Sequence, residues 1–294
     1  MPELRYAFFL GCIMPNRYPG VEASVRRVFK ELGIELVDMK GASCCPAPGV
    51  ARSFHFDAWL AVAARNLSIA EEMGLDLVTG CNGCYATLRD VWYDYHHKDW
   101  IREKVDKYLS QIGRSFKGKI QAKHILEVLY FDFGLEKLKE FIKRPLNLRV
   151  AVHYGCHLLR PSRKTKFDNP EDPHILDELV EATGAESIYW PLKLWCCGFP
   201  TLAVDRNMGL MLTRNKLKDA LNSGAECLVT TCPSCQITFD LLQSTVERTY
   251  GETYNIPSIY YSQLLGLALG LKPEEVGLNL NRVPVKSIYN AITR

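Results

Sequence analysis

No hydrophobic run in this sequence is long enough to cross a membrane. A spanning helix needs about 18–20 apolar residues, whereas the longest run here, LLGLALGL at 264–271, is short and contains two glycines. Strong charge of either sign is also missing. Lys and Arg number 36 against 33 Asp and Glu, a net charge of +3, too small for a general nucleic-acid binder. Two basic clusters, RPSRKTK at 160–166 and FKGKIQAKH at 116–124, read as solvated faces, suited at most to an acidic partner or an anionic ligand. A secretory leader is not expected either. The stretch FFLGC, ending at Cys12, imitates a lipoprotein cleavage site, but YAFFL is far too short and no basic segment stands apart from it. The chain is therefore expected to be cytoplasmic. Its 294 residues, 47% apolar and 23% charged, suit one large or two modest soluble domains.

Cysteine is what the chain has in excess. Eleven occur, at 12, 44, 45, 81, 84, 156, 196, 197, 227, 232 and 235. In a reducing compartment structural disulfides are disfavoured, and neighbouring cysteines such as Cys44–Cys45 and Cys196–Cys197 are poorly placed to bond each other. Metal binding or redox chemistry is the expected use. With Cys227 set aside, the rest form two sets of five, C-x31-CC-x35-CxxC and C-x39-CC-x34-CxxC. The surroundings repeat as well: FLGC answers HYGC, CCPAP answers CCGFP, and LVTGCNGCYATL answers LVTTCPSCQITF. Three matches in one order mark an internal duplication. Cys227 aligns with Asp76 and opens an apolar strand, so it reads as a buried structural thiol.

The elements around the cysteines follow the same repeat. Strand-like runs at 4–11 and 148–155 open the two copies, and helical stretches at 20–32 and 173–183 stop at Gly33 and Gly184. Strands at 34–39 and 185–190 lead into the cysteine pairs. Helical stretches at 53–73 and 205–223 then stop at Gly74 and Gly224, before a third strand that runs into CxxC. Glycine commonly ends helices in this way. The pattern predicts an α/β fold of two Rossmann-like units, 1–147 and 148–294, with parallel sheets, right-handed crossovers and added helices near 96–147. The tail 259–271 weakly echoes 123–133. Every cysteine of the two sets falls at or just past a strand's C-terminal end, where open α/β sheets bind ligands.

Five thiols per set narrow the chemistry. A structural zinc site takes four ligands, as does an ordinary cubane iron–sulfur cluster, and each leaves one cysteine over. The spacings C-x2-C-x2-C-x3-C-P and C-x4-C-x2-C are absent, and so is a Rieske-type histidine pair. A larger or more open iron–sulfur cluster uses the fifth thiolate and is the favoured reading. Zinc stays as the first alternative and a CxxC dithiol enzyme as the second, since both CxxC motifs precede helices.

A lone cysteine, then CC, then CxxC resembles the cysteine-rich CCG domain. Two copies in one chain, without an attached ferredoxin segment, resemble the B-subunit family of heterodisulfide reductases from methanogenic archaea. The resemblance runs from Cys12 to about Leu271 and departs from the pattern at Pro46, where the second copy has Gly198. It implies two noncubane [4Fe-4S] clusters, one on Cys12, Cys44, Cys45, Cys81 and Cys84, the other on Cys156, Cys196, Cys197, Cys232 and Cys235. It further implies reduction of the coenzyme M–coenzyme B heterodisulfide between two units related by a pseudo-two-fold axis. The implied partners within heterodisulfide reductase are a flavin-bearing and a ferredoxin-like subunit, fed by a hydrogenase or a formate dehydrogenase. His153 is then the candidate proton donor. Arg17, Arg52, His157, Arg160, Lys193 and Arg206 are candidates for holding the anionic substrate, with Trp190 and Trp195 as cover over a cluster. Two rival functions stand beside this one: an iron–sulfur electron-transfer subunit of a 2-hydroxy-acid oxidising system, and a non-catalytic zinc scaffold.

Overall fold

Each repeat builds one parallel sheet. In the computed structural model, which describes residues 4–293, the first holds β1 (Arg5–Phe8), β2 (Glu35–Asp38), β3 (Leu77–Thr79) and β4 (Ala122–His124). The second holds β5 (Arg149–His153), β6 (Glu186–Ser187), β7 (Cys227–Thr230) and β8 (Ser258–Tyr260). The strand orders are β2-β1-β3-β4 and β6-β5-β7-β8, and every pairing is parallel. Central strands such as CLVT are buried on both faces, as helix-covered parallel strands must be. Cys227, its first residue, is fully buried. The four glycines after the helices all carry positive φ, the left-handed conformation that lets a helix stop and a strand begin.

Three details differ from the sequence reading. Each sheet has a fourth strand, β4 or β8, where helix alone was expected. These strands are three residues long, too short to show a period-two pattern. The faint echo between 123–133 and 259–271 marks equivalent positions. In both, the strand ends on a residue whose backbone N–H is capped three residues on: Glu127 Oε2 accepts from His124 N at 2.7 Å, and Gln263 Oε1 from Tyr260 N at 2.9 Å. The stretch 53–73 spans two helices, Val50–Phe54 and Phe56–Glu72, broken at His55, whose backbone is extended and whose Nδ1 caps the second by accepting from Ala58 N at 3.1 Å. The strand near 185–190 shrinks to two residues.

The units exchange equivalent contacts. Helix Asn82–His97 packs on the short helices Cys156–Leu159 and Ser162–Thr165, and reciprocally Pro233–Gln236 packs on Ile13–Arg17. Helix Tyr261–Ala268 lies on Pro19–Glu31, where Ser24 and Ser262 share a hydrogen bond of 2.6 Å. Lys164, buried, joins Asp90 and Asp94 across the same boundary. Both apolar cores draw residues from the two repeats. The two sheets are thereby held with the ends of their central strands toward each other.

Candidate functional site

The strand ends deliver the cysteines to one place. Cys81 and Cys232 each follow their central strand and stand at the start of a helical turn. Cys84 and Cys235 lie within those first turns. Nine of the ten repeat cysteines, all but Cys196, line a single cavity of about 200 Å³. The rest of its lining is mostly apolar, including Leu10, Ile13, Met14, Pro48 and Phe199. Gly11 makes room for the Cys84 sulfur: with φ of +69°, an added Cβ would stand 2.7 Å from Cys84 Sγ.

All eleven cysteines are free thiols, and the donor set suits a soft, polynuclear metal group. Four thiolates of a tetrahedral zinc site would lie about 3.8 Å apart at a usual Zn–S length. Among the described residues, the only trio of metal-ligating atoms all within 4.8 Å of one another is His153, Cys197 and Cys235. The sulfurs are gathered at a wider spacing than one ion needs. Iron–sulfur clusters fit both the thiol count and that spread.

The thiols already differ in acidity. In each adjacent pair the second cysteine is the better thiolate. Hydrogen bonding from Cys44, then from Cys84, brings Cys45 down to about 4. Cys196 and then Cys235 hold Cys197 well below the ordinary range. Their neighbours Cys44 and Cys196 are raised, first by those same bonds. Burial lifts Cys156 to about 11. The two CxxC motifs meet: hydrogen bonding to Cys232 is the largest influence raising Cys81. Asn82 reinforces that junction, donating to the Tyr154 carbonyl at 2.7 Å and accepting from Thr231 Oγ1 at 3.2 Å. Tyr260 OH donates to the Gly80 carbonyl from the opposite unit.

The candidate polar residues scatter. His157 lines the cavity. His153 does not. It is buried, with Nε2 3.3 Å from Cys235 Sγ and its ring edge-on to Phe239 at 5.1 Å. Burial, then Lys216, lowers its pKa. Of the other expected basic side chains, Arg17, Arg52, Arg160, Lys193 and Arg206, none lines the cavity. Lys193 is bound to Asp177 at 2.6 Å. Arg52 pairs with Asp90 at 3.2 Å and lies over Trp59. Arg160 donates to the Pro170 carbonyl at 2.6 Å. Arg17 and Arg206 are exposed at helix ends. Closeness in sequence to a cysteine does not set the direction in which a long side chain points. Trp190 is buried and donates to the Val152 carbonyl, whereas Trp195 is 60% exposed and is not among the residues that line the cavity. Sequence reasoning missed Asn82, Tyr260 and Lys216. Lys216 had left a signal. It falls on the buried stripe of its helix with Thr213, Leu217 and Ala220, where a lysine is out of place.

Comparison with known proteins fits this geometry. The CCG cysteine-rich domain matches residues 6–89 and 150–240. The B subunit of a ferredoxin/F(420)H(2)-dependent CoB-CoM heterodisulfide reductase of Methanosarcina acetivorans is 43% identical over 95% of this chain and 94% of its own length. The chain belongs to the heterodisulfide reductase B-subunit family. As a member it is a cysteine-rich iron–sulfur protein of an oxidoreductase family. The family's reach is wider than one reaction. An 8-methylmenaquinol:fumarate reductase membrane anchor subunit of Wolinella succinogenes is 33% identical over 95% of this chain and 97% of its own length. In the present chain no helix among the described residues is long and apolar enough to cross a membrane. A solved structure of a hypothetical protein from Helicobacter pylori has the same fold. Its TM-score is 0.77 at 15% identity, over 97% of this chain and 53% of that one.

Proposed function

We propose that this chain is the catalytic subunit of a CoB–CoM heterodisulfide reductase and works in the cytoplasm. The observation that carries the reading is the shared cavity: both thiol sets open on it, and Cys81 and Cys232 of their two CxxC motifs both line it. A disulfide held there faces both sets at once. Its reduction takes two electrons and two protons and gives two thiols.

When bound, one noncubane [4Fe-4S] cluster per unit supplies one-electron chemistry and soft iron for sulfur. Cys12, Cys44, Cys45, Cys81 and Cys84 would hold the first, and Cys156, Cys196, Cys197, Cys232 and Cys235 the second. The chain's other residues orient and enclose. The apolar walls from Leu10, Ile13, Met14, Pro48 and Phe199 keep water from the sulfur–sulfur bond. His157, which opens on the cavity, is the better placed of the two histidines to give a proton to a leaving thiolate. His153, behind Cys235, supports the thiolate set. The anionic ends of the substrate lie beyond the apolar neck, where Arg17 and Arg206 are free to reach them. Electrons come from a ferredoxin-like subunit, which is supplied by a flavin-bearing one and, upstream, by a hydrogenase or formate dehydrogenase.

The test uses anaerobically purified protein. Near eight irons per chain are expected, falling to about half in Cys45→Ala and in Cys197→Ala. Heterodisulfide reduction by reduced viologen dye should fall at least 100-fold in each. Full activity in either variant sinks the assignment for that unit, and two zincs without iron sink the enzyme reading. A second reading, electron transfer for another oxidoreductase, draws on the fumarate reductase relative. Iron-loaded protein that transfers electrons but leaves the heterodisulfide intact would select it.

A further inference from the structure

The two thiol sets differ by one buried charge. Lys216 sits on helix Arg206–Asn222 and is 1% exposed. Its ammonium donates to the Leu192 carbonyl and lies 4.2 Å from the centre of the Trp190 ring. Among the described residues it forms no ion pair. Burial pushes its pKa down to about 7, and Cys197, Cys235, Asp219 and Cys196 oppose that fall. Asp219 is already engaged by Leu192 N at 2.7 Å, and Thr213, one turn earlier on the same helix, donates to the Cys197 carbonyl at 2.9 Å. A buried ammonium needs a counter-charge, and an anionic metal group on the second thiol set would supply it.

The first unit has no such group at the equivalent position. Lys216 stands eight residues before Gly224, and Asn66 eight before Gly74. Asn66 is neutral: it accepts from Ser43 N and donates to the Cys44 carbonyl, both at 3.0 Å. Both residues brace the loop that carries an adjacent cysteine pair, but only one brings charge. A second difference runs the same way. His153 sits beside Cys235 Sγ, and the repeat puts Phe9 at its equivalent position.

We propose that Lys216 is a positioning cation that holds the second thiol set's site at a higher reduction potential than the first. An electron entering the chain from an iron–sulfur donor then comes to rest in the second unit. This rests on the reading that each set holds an iron–sulfur cluster. One electron leaves the donor, one is gained at the second site, and no bond breaks. The physical reason is charge. Reduction adds a negative charge, and a cation in a low-dielectric interior stabilises the reduced form. A hydrogen bond to a ligand sulfur acts in the same sense. The greater exposure of Cys12 and Cys44 works against this by letting water stabilise charge in the first unit, but water screens the buried cation far less.

The experiment is a redox titration followed by electron paramagnetic resonance on loaded, full-length protein. Cys45→Ser and Cys197→Ser assign the two transitions. The higher-potential transition should vanish in Cys197→Ser. Lys216→Met should lower its reduction equilibrium constant about tenfold, about 59 mV for a one-electron couple, and leave the other transition in place. Lys216→Arg should retain the wild-type value. Lys216→Asn, the first unit's residue, should behave as Lys216→Met does and serves if the methionine variant loads poorly. Loaded variants with unshifted potentials, or equal shifts in Lys216→Met and Lys216→Arg, overturn the inference alone. Wild-type protein without iron overturns both the inference and the functional reading beneath it.

Discussion

The first and second thiol sets share a plan and differ in how it is braced. In both, a lone cysteine follows one central strand, CxxC follows the other, and a pair sits on the loop between. In both, the second member of the pair is the favoured thiolate. Yet the first set is the more open, with Cys12 and Cys44 exposed where Cys156 and Cys196 are half-buried. Around the second set stand His153 and Lys216, where the first has Phe9 and Asn66. A duplicated fold keeps the ligand geometry because strand ends and helix starts fix it. The residues one layer further out are free to diverge, and with them the electrostatics of each site.

The proline–glycine difference after the pairs offers the largest effect. Gly198 has φ of +94°, and a Cβ there would lie 2.3 Å from the Gly209 carbonyl oxygen. Proline cannot adopt that conformation, so the two loops have different backbones despite their common cysteines. Gly198→Ala should cost on the order of 3 kcal/mol or more and reduce iron in the second unit. Pro46→Gly should cost only about 1 kcal/mol, chiefly through the unfolded chain. Urea midpoints with iron analysis would check the pair. Equal losses would mean that the loops are alike after all.

The glycines before the lone cysteines give a smaller contrast. A Cβ on Gly11 meets the Cys84 sulfur at 2.7 Å, whereas one on Gly155 meets the Asn82 amide at 2.7 Å. Both carry positive φ, so each alanine should cost about 1–3 kcal/mol. Only Gly11→Ala should displace a ligand sulfur and lower the iron content. Gly155→Ala should spare the iron and weaken the Asn82 bridge between the units. Equal iron loss in both variants would argue that the bridge itself is needed for loading.

The strand-end caps give the smallest. Glu127 and Gln263 do the same job, but burial lifts the Glu127 carboxyl from 4.5 to about 6. A raised carboxyl means that the folded state binds more protons than the unfolded one across that window. Its stabilising contribution is therefore full below pH 4.5 and lost as pH rises through 6. The total is about 2 kcal/mol, with about 1 kcal/mol of it lost between pH 5 and 7. Glu127→Gln should flatten that slope and make the first unit behave like the second. An unchanged slope in urea unfolding between those pH values would remove Glu127 as its source.

Much of this molecule can be read along the chain. The duplication, the two sets of five thiols and the helix–glycine–strand junctions depend on local patterns. A strand end followed by a helix start puts a cysteine in one kind of place wherever the units dock. Cys227 could be read as buried because an apolar strand sits between neighbours that hide both its faces. Pairs distant in sequence had to await the packed fold. The opening of both sets on one cavity, the meeting of Cys81 with Cys232, and the Asn82 and Tyr260 bridges exist only because the two sheets face each other. Arg52, Arg160 and Lys193 turned toward carboxylates and a carbonyl that no spacing rule reveals, since a long side chain follows its nearest polar partner. Lys216 joins the two levels. Its helical register already put a lysine on a buried face, but only the packed second unit set the thiols that oppose its loss of charge around it.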